Sequence, residues 1–209
     1  MAKILVVTSS ALAETSVSNQ LIRDGLMALR TGYPAASFNV RDLGSKPIAH
    51  LTPHSAAALA TGKSANATQV EALALSDELI GELQAADTIV IGAPMYNFGI
   101  PSTLKAWFDH VLRAGITFQY TETGPVGLLK GKRAIVVETR GGQYSEGPGQ
   151  AMDAQEPHLR TLLGFIGITD VTFVRAEKLA LGPQAREHSI GAARAQLSDV
   201  ILNQYRHAA

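Results

Sequence analysis

Short apolar runs alternate with amphipathic segments along this chain. Five runs have the length and composition of β-strands, and they cover residues 3–8, 38–43, 87–93, 133–138 and 171–175. The second run alternates apolar and polar residues, which is typical of an edge or half-buried strand. The other runs are nearly continuous apolar stretches, a pattern typical of strands that helices cover on both faces of a parallel sheet.

Between and after these strands lie segments with apolar residues at helical spacing. We predict helices over residues 19–29, 68–86, 102–114, 156–166 and 184–205. Five strands alternating with five helices predict a doubly wound α/β fold. An Ala-rich stretch at 55–67 is a candidate mobile insertion after the second strand.

Composition narrows the class of protein. The chain has 209 residues, and we predict one domain over 1–209. Its 18 Lys and Arg balance 18 Asp and Glu, which argues against binding nucleic acid through bulk charge. The absence of Cys excludes disulfides, Cys-ligated metals and a thiol nucleophile, and the low charge favours self-association. No apolar run is long enough for a transmembrane helix or a signal peptide, so we expect a cytoplasmic protein without a membrane partner.

The loop after the first strand is rich in hydroxyl groups. Six of the eleven residues from Thr8 to Ser18 are Ser or Thr, and no Lys or Arg lies between Lys3 and Arg23. The loop matches neither the dinucleotide G-x-G-x-x-G motif nor the P-loop. Hydroxyls and backbone N–H groups at a helix N-terminus could therefore hold a single terminal phosphate. Alternatively, Ser16 or Ser18 simply caps the helix.

Two further loops follow strands that end at the same rim of the sheet. The loop over 92–105 carries Tyr96 and Phe98 around Asn97, a set that offers ring faces and an amide to a flat heterocycle. The alternative is a proline-rich turn whose aromatics pack in the core. In the loop 139–142, paired glycines let the backbone approach a ligand, although such a loop is equally typical of a plain connection. Their convergence predicts a ligand site at the switch point of the strand order.

Several motifs in sequence order carry a resemblance to a known family. They are Ser9-Ser10 with Ser16-Val17-Ser18, the run 93–98 (APMYNF), 113–122 with Gly124-Pro125, Arg140-Gly141-Gly142, and 163–170 (LGFIGITD). With these motifs the chain resembles the FMN-dependent azoreductases of bacteria, within the flavodoxin-like quinone reductase superfamily. The resemblance implies a three-layer α/β/α fold with a five-stranded parallel sheet in the order 2-1-3-4-5.

The resemblance also implies the residues of the site. FMN contacts map onto Ser10, Ser16, Val17, Ser18, Met95, Tyr96, Asn97, Phe98, Thr139, Arg140, Gly141 and Gly142. Substrate contacts map onto Phe98, Phe118, Tyr120 and Tyr144. Thr139 stands where relatives more often carry Ser, which keeps the hydroxyl. Gly99 and Tyr144 also depart from the family pattern, and both bear on substrate preference.

The activity that the resemblance implies is reduction of quinones, aromatic azo compounds and nitroaromatics by NADH or NADPH. The implied route is a ping-pong hydride transfer through bound FMN in a homodimer, with no catalytic side chain. We interpret the six histidines (50, 54, 110, 158, 188 and 207) as solvated or packing residues and expect no metal site. A flavodoxin-type electron carrier is the alternative, although such carriers are usually strongly acidic. A hydrolase is disfavoured because the G-x-S-x-G elbow is missing.

Overall fold

The computed structural model describes residues 2–206 of the chain. His207 and both ends of the predicted domain, at residues 1 and 209, lie outside the described residues. Seven strands follow in chain order: β1 Lys3–Thr8, β2 Ser37–Asp42, β3 Thr88–Pro94, β4 Phe118–Thr121, β5 Gly124–Gly127, β6 Arg133–Thr139 and β7 Asp170–Ala176. Five of them form a parallel sheet in the order β2-β1-β3-β6-β7. This confirms the predicted 2-1-3-4-5 order, since β6 and β7 are the fourth and fifth strands of that sheet.

Helices cover both faces of the sheet. They are α1 Val17–Gly32, α2 Pro53–Thr61, α3 Ala67–Ala85, α4 Ser102–Val111, α5 Glu156–Phe165 and α6 Pro183–Arg206. Alternate strand residues point to opposite faces, so Leu5 and Val7 pack in a core with α3, α4 and α5. Ile4 and Val6 pack in a second core with α1 and α6. No helix in the described part of the chain is long and apolar enough to cross a membrane.

The expected mobile insertion at 55–67 is wrong, because α2 occupies most of it. Thr52 caps this helix: its side chain accepts from the Ser55 N–H, and the Ser55 hydroxyl accepts from the Thr52 N–H. Such a capping box fixes a helix start. Gly62 ends the helix in the left-handed conformation, with φ of 66°.

Strands β4 and β5 form an antiparallel hairpin that the sequence pattern did not predict. Each strand has only four residues, and β5 contains Gly and Pro, which are depleted in strands. The hairpin lies against the end of α5, where a Cβ at Gly127 would be 2.1 Å from the Gly167 nitrogen. Gly167 itself has φ of 97°. Two glycines are therefore required where the backbones meet.

Candidate functional site

A cleft of about 250 Å³ opens at the carboxyl ends of β1, β3 and β6. Eight of the residues predicted for the cofactor line it: Ser10, Ser16, Val17, Met95, Tyr96, Thr139, Arg140 and Gly141. Six further residues complete the lining: Leu12, Thr15, Pro94, Leu179, Ala180 and Arg186. The strand order thus brings the three predicted loops together, as parallel strands with a switch point require.

The N-terminus of α1 forms one end of the cleft. The Ser16 hydroxyl accepts from the Asn19 N–H at 3.2 Å and lies 3.1 Å from the Ser18 hydroxyl. Ser16 therefore caps the helix, as the alternative interpretation held. The first N–H groups of a helix have no intrahelical acceptor, which leaves that of Val17, in the cleft lining, available to a ligand. Ser18, also predicted as a cofactor contact, is fully buried and lies outside the lining. Capping and anion binding are compatible here, because they use different groups.

Tyr96 joins the loop after β3 to the loop after β1. Its hydroxyl accepts from the Ala11 N–H at 3.0 Å and lies 3.2 Å from the Ser10 hydroxyl. Beneath it, the Ser9 hydroxyl donates to the Gly92 carbonyl at 2.6 Å. These hydrogen bonds hold the Ser- and Thr-rich loop after β1, which forms one wall of the cleft, against the loop after β3, which carries Tyr96 and forms the other wall.

Asn97 and Phe98 form a tight two-residue turn. The N–H of Tyr96 donates to the Gly99 carbonyl at 3.0 Å, and the reverse bond is 3.1 Å. Asn97 has φ of 49° and Phe98 has φ of 72°, a left-handed conformation that costs about 1–2 kcal/mol for a non-glycine residue. The turn holds Phe98 46% exposed, edge-to-face with Tyr144 at 6.1 Å. Strain of this kind is common at functional sites.

The glycine loop after β6 presents two free N–H groups. The carbonyl of Arg140 accepts from the Leu179 N–H at 3.1 Å, and that of Gly141 accepts from the Ala180 N–H at 2.9 Å. In a trans peptide the N–H points opposite to the preceding carbonyl, so the N–H groups of Gly141 and Gly142 point away from 178–180. No acceptor within residues 2–206 takes either group. Adjacent free N–H groups suit an electron-rich oxygen.

The side chain of Arg140 does not reach the cleft. It is fully buried and donates to Glu138 at 2.8 Å, to Gln155 at 2.8 Å and to Glu177 at 3.2 Å. Arg140 therefore contributes only backbone to the cleft. Burial raises the pKa of Glu138 to about 8, partly offset by the charge of Arg140.

The four proposed substrate residues lie outside this lining. Phe118 is only 7% exposed and packs against Tyr120 at 5.4 Å and Phe165 at 4.5 Å. Tyr120, in contrast, is 74% exposed on the hairpin. Phe98 and Tyr144 meet edge-to-face next to the two loops that line the cleft, whereas Phe118 and Tyr120 belong to the separate hairpin.

Arg186 is the cleft residue of most chemical interest that the sequence reasoning missed. It lies in the first turns of α6, is exposed, and has no ion-pair partner within the described residues. It shares the cleft lining with Thr15 and Ser16. The segment after the fifth strand of the sheet could have indicated it, because that strand ends at the same rim as the three predicted loops.

The histidines do not form a site in the described part of the chain. No group of three or more His, Asp or Glu there could hold a metal ion. His110 is buried in α4, its Nδ1 has no hydrogen-bond partner among residues 2–206, and burial lowers its pKa. This histidine is a packing residue of the core.

Comparison with known proteins places the chain in a family. A family model described as a flavodoxin-like fold matches residues 2–201. A protein of Hyphomonas neptunium named FMN-dependent NADH:quinone oxidoreductase is 52% identical over 200 residues, which cover 96% of each chain. A second protein of this name, from Pseudomonas fluorescens, is 49% identical and covers 96% of this chain and all of its own.

A solved structure agrees with this assignment. An azoreductase from Bacillus anthracis superimposes with a TM-score of 0.88 at 29% identity, covering 96% of this chain and 99% of its own. The chain therefore belongs to the flavodoxin-like family of FMN-dependent NADH:quinone oxidoreductases and azoreductases.

Proposed function

We propose that this protein binds FMN in the cleft and uses NADH to reduce quinones and aromatic azo compounds. One observation carries the proposal: a single cleft combines phosphate donors at one end with free glycine N–H groups at the other. The name shared by relatives at about half identity supports the same cofactor and donor.

The end of the cleft at α1 fits the phosphate of FMN. The hydroxyls of Ser10 and Ser16 and the free N–H group of Val17 lie there. A helix N-terminus favours an anion through its aligned peptide dipoles. Arg186 would add the one full positive charge that the hydroxyl-rich loop lacks.

The other end fits the flavin ring. Met95 and Tyr96 line one side, and the glycine loop lines another. The N–H groups of Gly141 and Gly142 would donate to a ring carbonyl and favour added negative charge there. When bound, FMN supplies the hydride chemistry, taking a hydride from NADH and passing it to the acceptor.

We infer a ping-pong order from the shape of the site. Phe98 and Tyr144 pair edge-to-face, and Met95 and Tyr96 line the neighbouring cleft, so that flat donors and acceptors would occupy one place in turn. A quinone takes two electrons and needs one NADH. An azo bond needs four electrons to give two amines and therefore consumes two NADH. Nitroaromatics fit the same slot as a further class of acceptor.

We infer a homodimer whose sites are completed across the interface. The hairpin supports this, because it presents Tyr120 at 74% exposure without bringing it to the cleft of its own chain. Tyr120 would then face the partner's flavin, and Phe118 would support it from below. A cytoplasmic location follows from reliance on NADH, which cells keep inside the plasma membrane.

The decisive test is anaerobic. FMN-loaded protein is mixed with NADH alone, the flavin absorbance is followed, and a quinone or azo dye is then added. We expect bleaching by NADH without any partner protein, recovery with the acceptor, and parallel lines in double-reciprocal plots. Failure to take up FMN would refute the proposal. Bleaching that requires a second protein would favour the electron carrier instead.

A further inference from the structure

A buried guanidinium lies directly behind the proposed flavin site. Arg140 is fully enclosed, yet its donors reach Gln155, Glu138 and Glu177, and Asp153 lies 3.1 Å away. Replacing such a buried ionic group by apolar residues often leaves a protein as stable or more so. Fold stability alone therefore does not explain why an arginine is buried here. The residues that it hydrogen-bonds indicate which segments of the chain it holds in place.

On one side, Arg140 reaches the aromatic loop through Gln155. The Arg140 Nε donates to the Gln155 Oε1 at 2.8 Å, and the Gln155 Nε2 donates to the Ala93 carbonyl at 2.7 Å. Ala93 directly precedes the run 94–96 that lines the cleft. The neighbouring N–H of Ala154 donates to the Phe98 carbonyl at 3.1 Å. Gln155 is itself fully buried, so no water competes for these bonds.

On the other side, Arg140 reaches the glycine loop through Glu177. The Glu177 carboxylate accepts from Arg140 at 3.2 Å, from the Tyr144 N–H at 2.8 Å and from the Ser145 N–H at 2.9 Å. The ring of Tyr144 in turn packs on Gly142, where an added Cβ would lie 3.1 Å from it. Glu177 thus fixes the segment that follows the two free N–H groups.

We propose that Arg140 is a positioning residue that fixes the two walls of the flavin cleft to each other, through Gln155 on one wall and Glu177 on the other. The inference rests on the proposed function in so far as FMN occupies the cleft. Arg140 touches neither cofactor nor substrate with its side chain. It sets the spacing between Met95–Phe98 and Gly141–Tyr144, which a ring bound between them requires.

The test compares FMN-loaded wild type with Arg140→Met, Gln155→Met and Glu177→Gln. The readouts are the FMN dissociation constant, the absorption envelope of the bound flavin and its midpoint potential. We expect Arg140→Met to weaken FMN binding at least tenfold and to change the flavin spectrum. Arg113→Met is the matched control, because Arg113 is also buried and paired, with Asp77 and Ser76, outside the cleft. It should lose stability while flavin affinity and spectrum stay unchanged.

The double variant Gln155→Met/Glu177→Gln tests whether the two walls are held through one shared connection at Arg140 or each through its own local contacts. If both walls are held through Arg140, Gln155→Met and Glu177→Gln break the same connection. The combined loss of FMN affinity should then be smaller than the product of the single losses. Losses that simply multiply would overturn the proposal. This comparison also tests the proposal if Arg140→Met does not fold, since each single variant removes only one of the two hydrogen-bonded connections.

Hydrogen exchange adds a local readout. Glu177→Gln should speed exchange at the Tyr144 and Ser145 amides while amides in the cores stay protected. Unchanged exchange there would count against the proposal. If the wild-type protein does not bind FMN, the proposed function is refuted. If the wild type and Arg140→Met bind FMN with equal affinity, only the positioning role of Arg140 is refuted.

Discussion

The substitution Glu138→Gln should change how the stability of this protein depends on pH. Glu138 is fully buried at the end of β6, and no group in the described part of the chain hydrogen-bonds to its Oε1. Burial raises its pKa to about 8 from an ordinary value of 4.5, against the opposing charge of Arg140. The folded protein therefore holds this carboxyl protonated at neutral pH. Gln has nearly the same shape and is neutral at every pH.

The size of the effect follows from linkage. Because the folded-state pKa lies above the unfolded one, the stabilising contribution is complete below pH 4.5 and is lost as the pH rises to about 8. That interval spans about 3.5 pH units, and each unit corresponds to about 1.4 kcal/mol. The free energy of unfolding of the wild type should thus fall by about 5 kcal/mol across it, relative to the variant.

Urea unfolding at fixed protein and FMN concentrations, from pH 5 to pH 9, measures this difference. The depressed pKa values of Glu156 and Glu177 act only as the pH falls toward acid, outside this window. Burial lowers the pKa values of His110 and His158, and their contribution cancels because both proteins carry them. The stability of the variant should exceed that of the wild type by a growing margin above pH 5. Equal slopes in the two proteins would refute the reasoning.

Three further substitutions test the site and the scaffold. Ser16→Ala removes the acceptor of the Asn19 N–H and should lower the free energy of unfolding by about 1 kcal/mol, with weaker FMN binding by fluorescence titration. Arg186→Ala removes from the phosphate end a cation that has no ion-pair partner among the described residues. It should weaken FMN binding several-fold and make that binding less dependent on salt, while riboflavin binding stays unchanged. Gly127→Ala places a Cβ 2.1 Å from the Gly167 nitrogen and should destabilise the protein by about 2 kcal/mol or more in thermal or urea unfolding.

Matched variants make these outcomes interpretable. Asn66→Ala removes the equivalent cap of α3, where the side chain accepts from the Gln69 N–H at 3.0 Å, and should lower stability without changing FMN affinity. Gly191→Ala meets no atom within 4 Å and should stabilise α6 by about 0.5–1 kcal/mol. Equal FMN losses from the Ser16 and Asn66 variants would contradict the phosphate assignment. Equal riboflavin and FMN losses from Arg186→Ala would contradict the role of its charge.

The sheet was predictable from the chain because its signals are local. The run 87–93, for example, is continuously apolar after its polar start, and β3 is buried along its entire length. Their alternation with helices predicts a doubly wound fold, whereas the 2-1-3-4-5 order came from the family resemblance. That order brings the three loops to one cleft. The signals of α2 are local as well, since Thr52, Pro53 and Gly62 mark its ends. They were outweighed by an Ala-rich composition that resembles a loose insertion.

The remaining features depend on contacts between distant residues. Arg140 follows a strand in a glycine loop, which favours a ligand contact, yet its side chain pairs with Gln155 and Glu177, 15 and 37 residues further along the chain. The burial of Phe118 likewise depends on Phe165, and the hairpin on Gly167. No periodicity in the sequence encodes such pairings.

The close meeting of Gly127 and Gly167 has a practical consequence for engineering new acceptors. It anchors the base of the hairpin, so the tip around residues 120–123 can be randomised in a library without loosening the scaffold. Such a library should hold both glycines fixed, since nearly every member that loses one would be eliminated by misfolding before selection for catalysis begins.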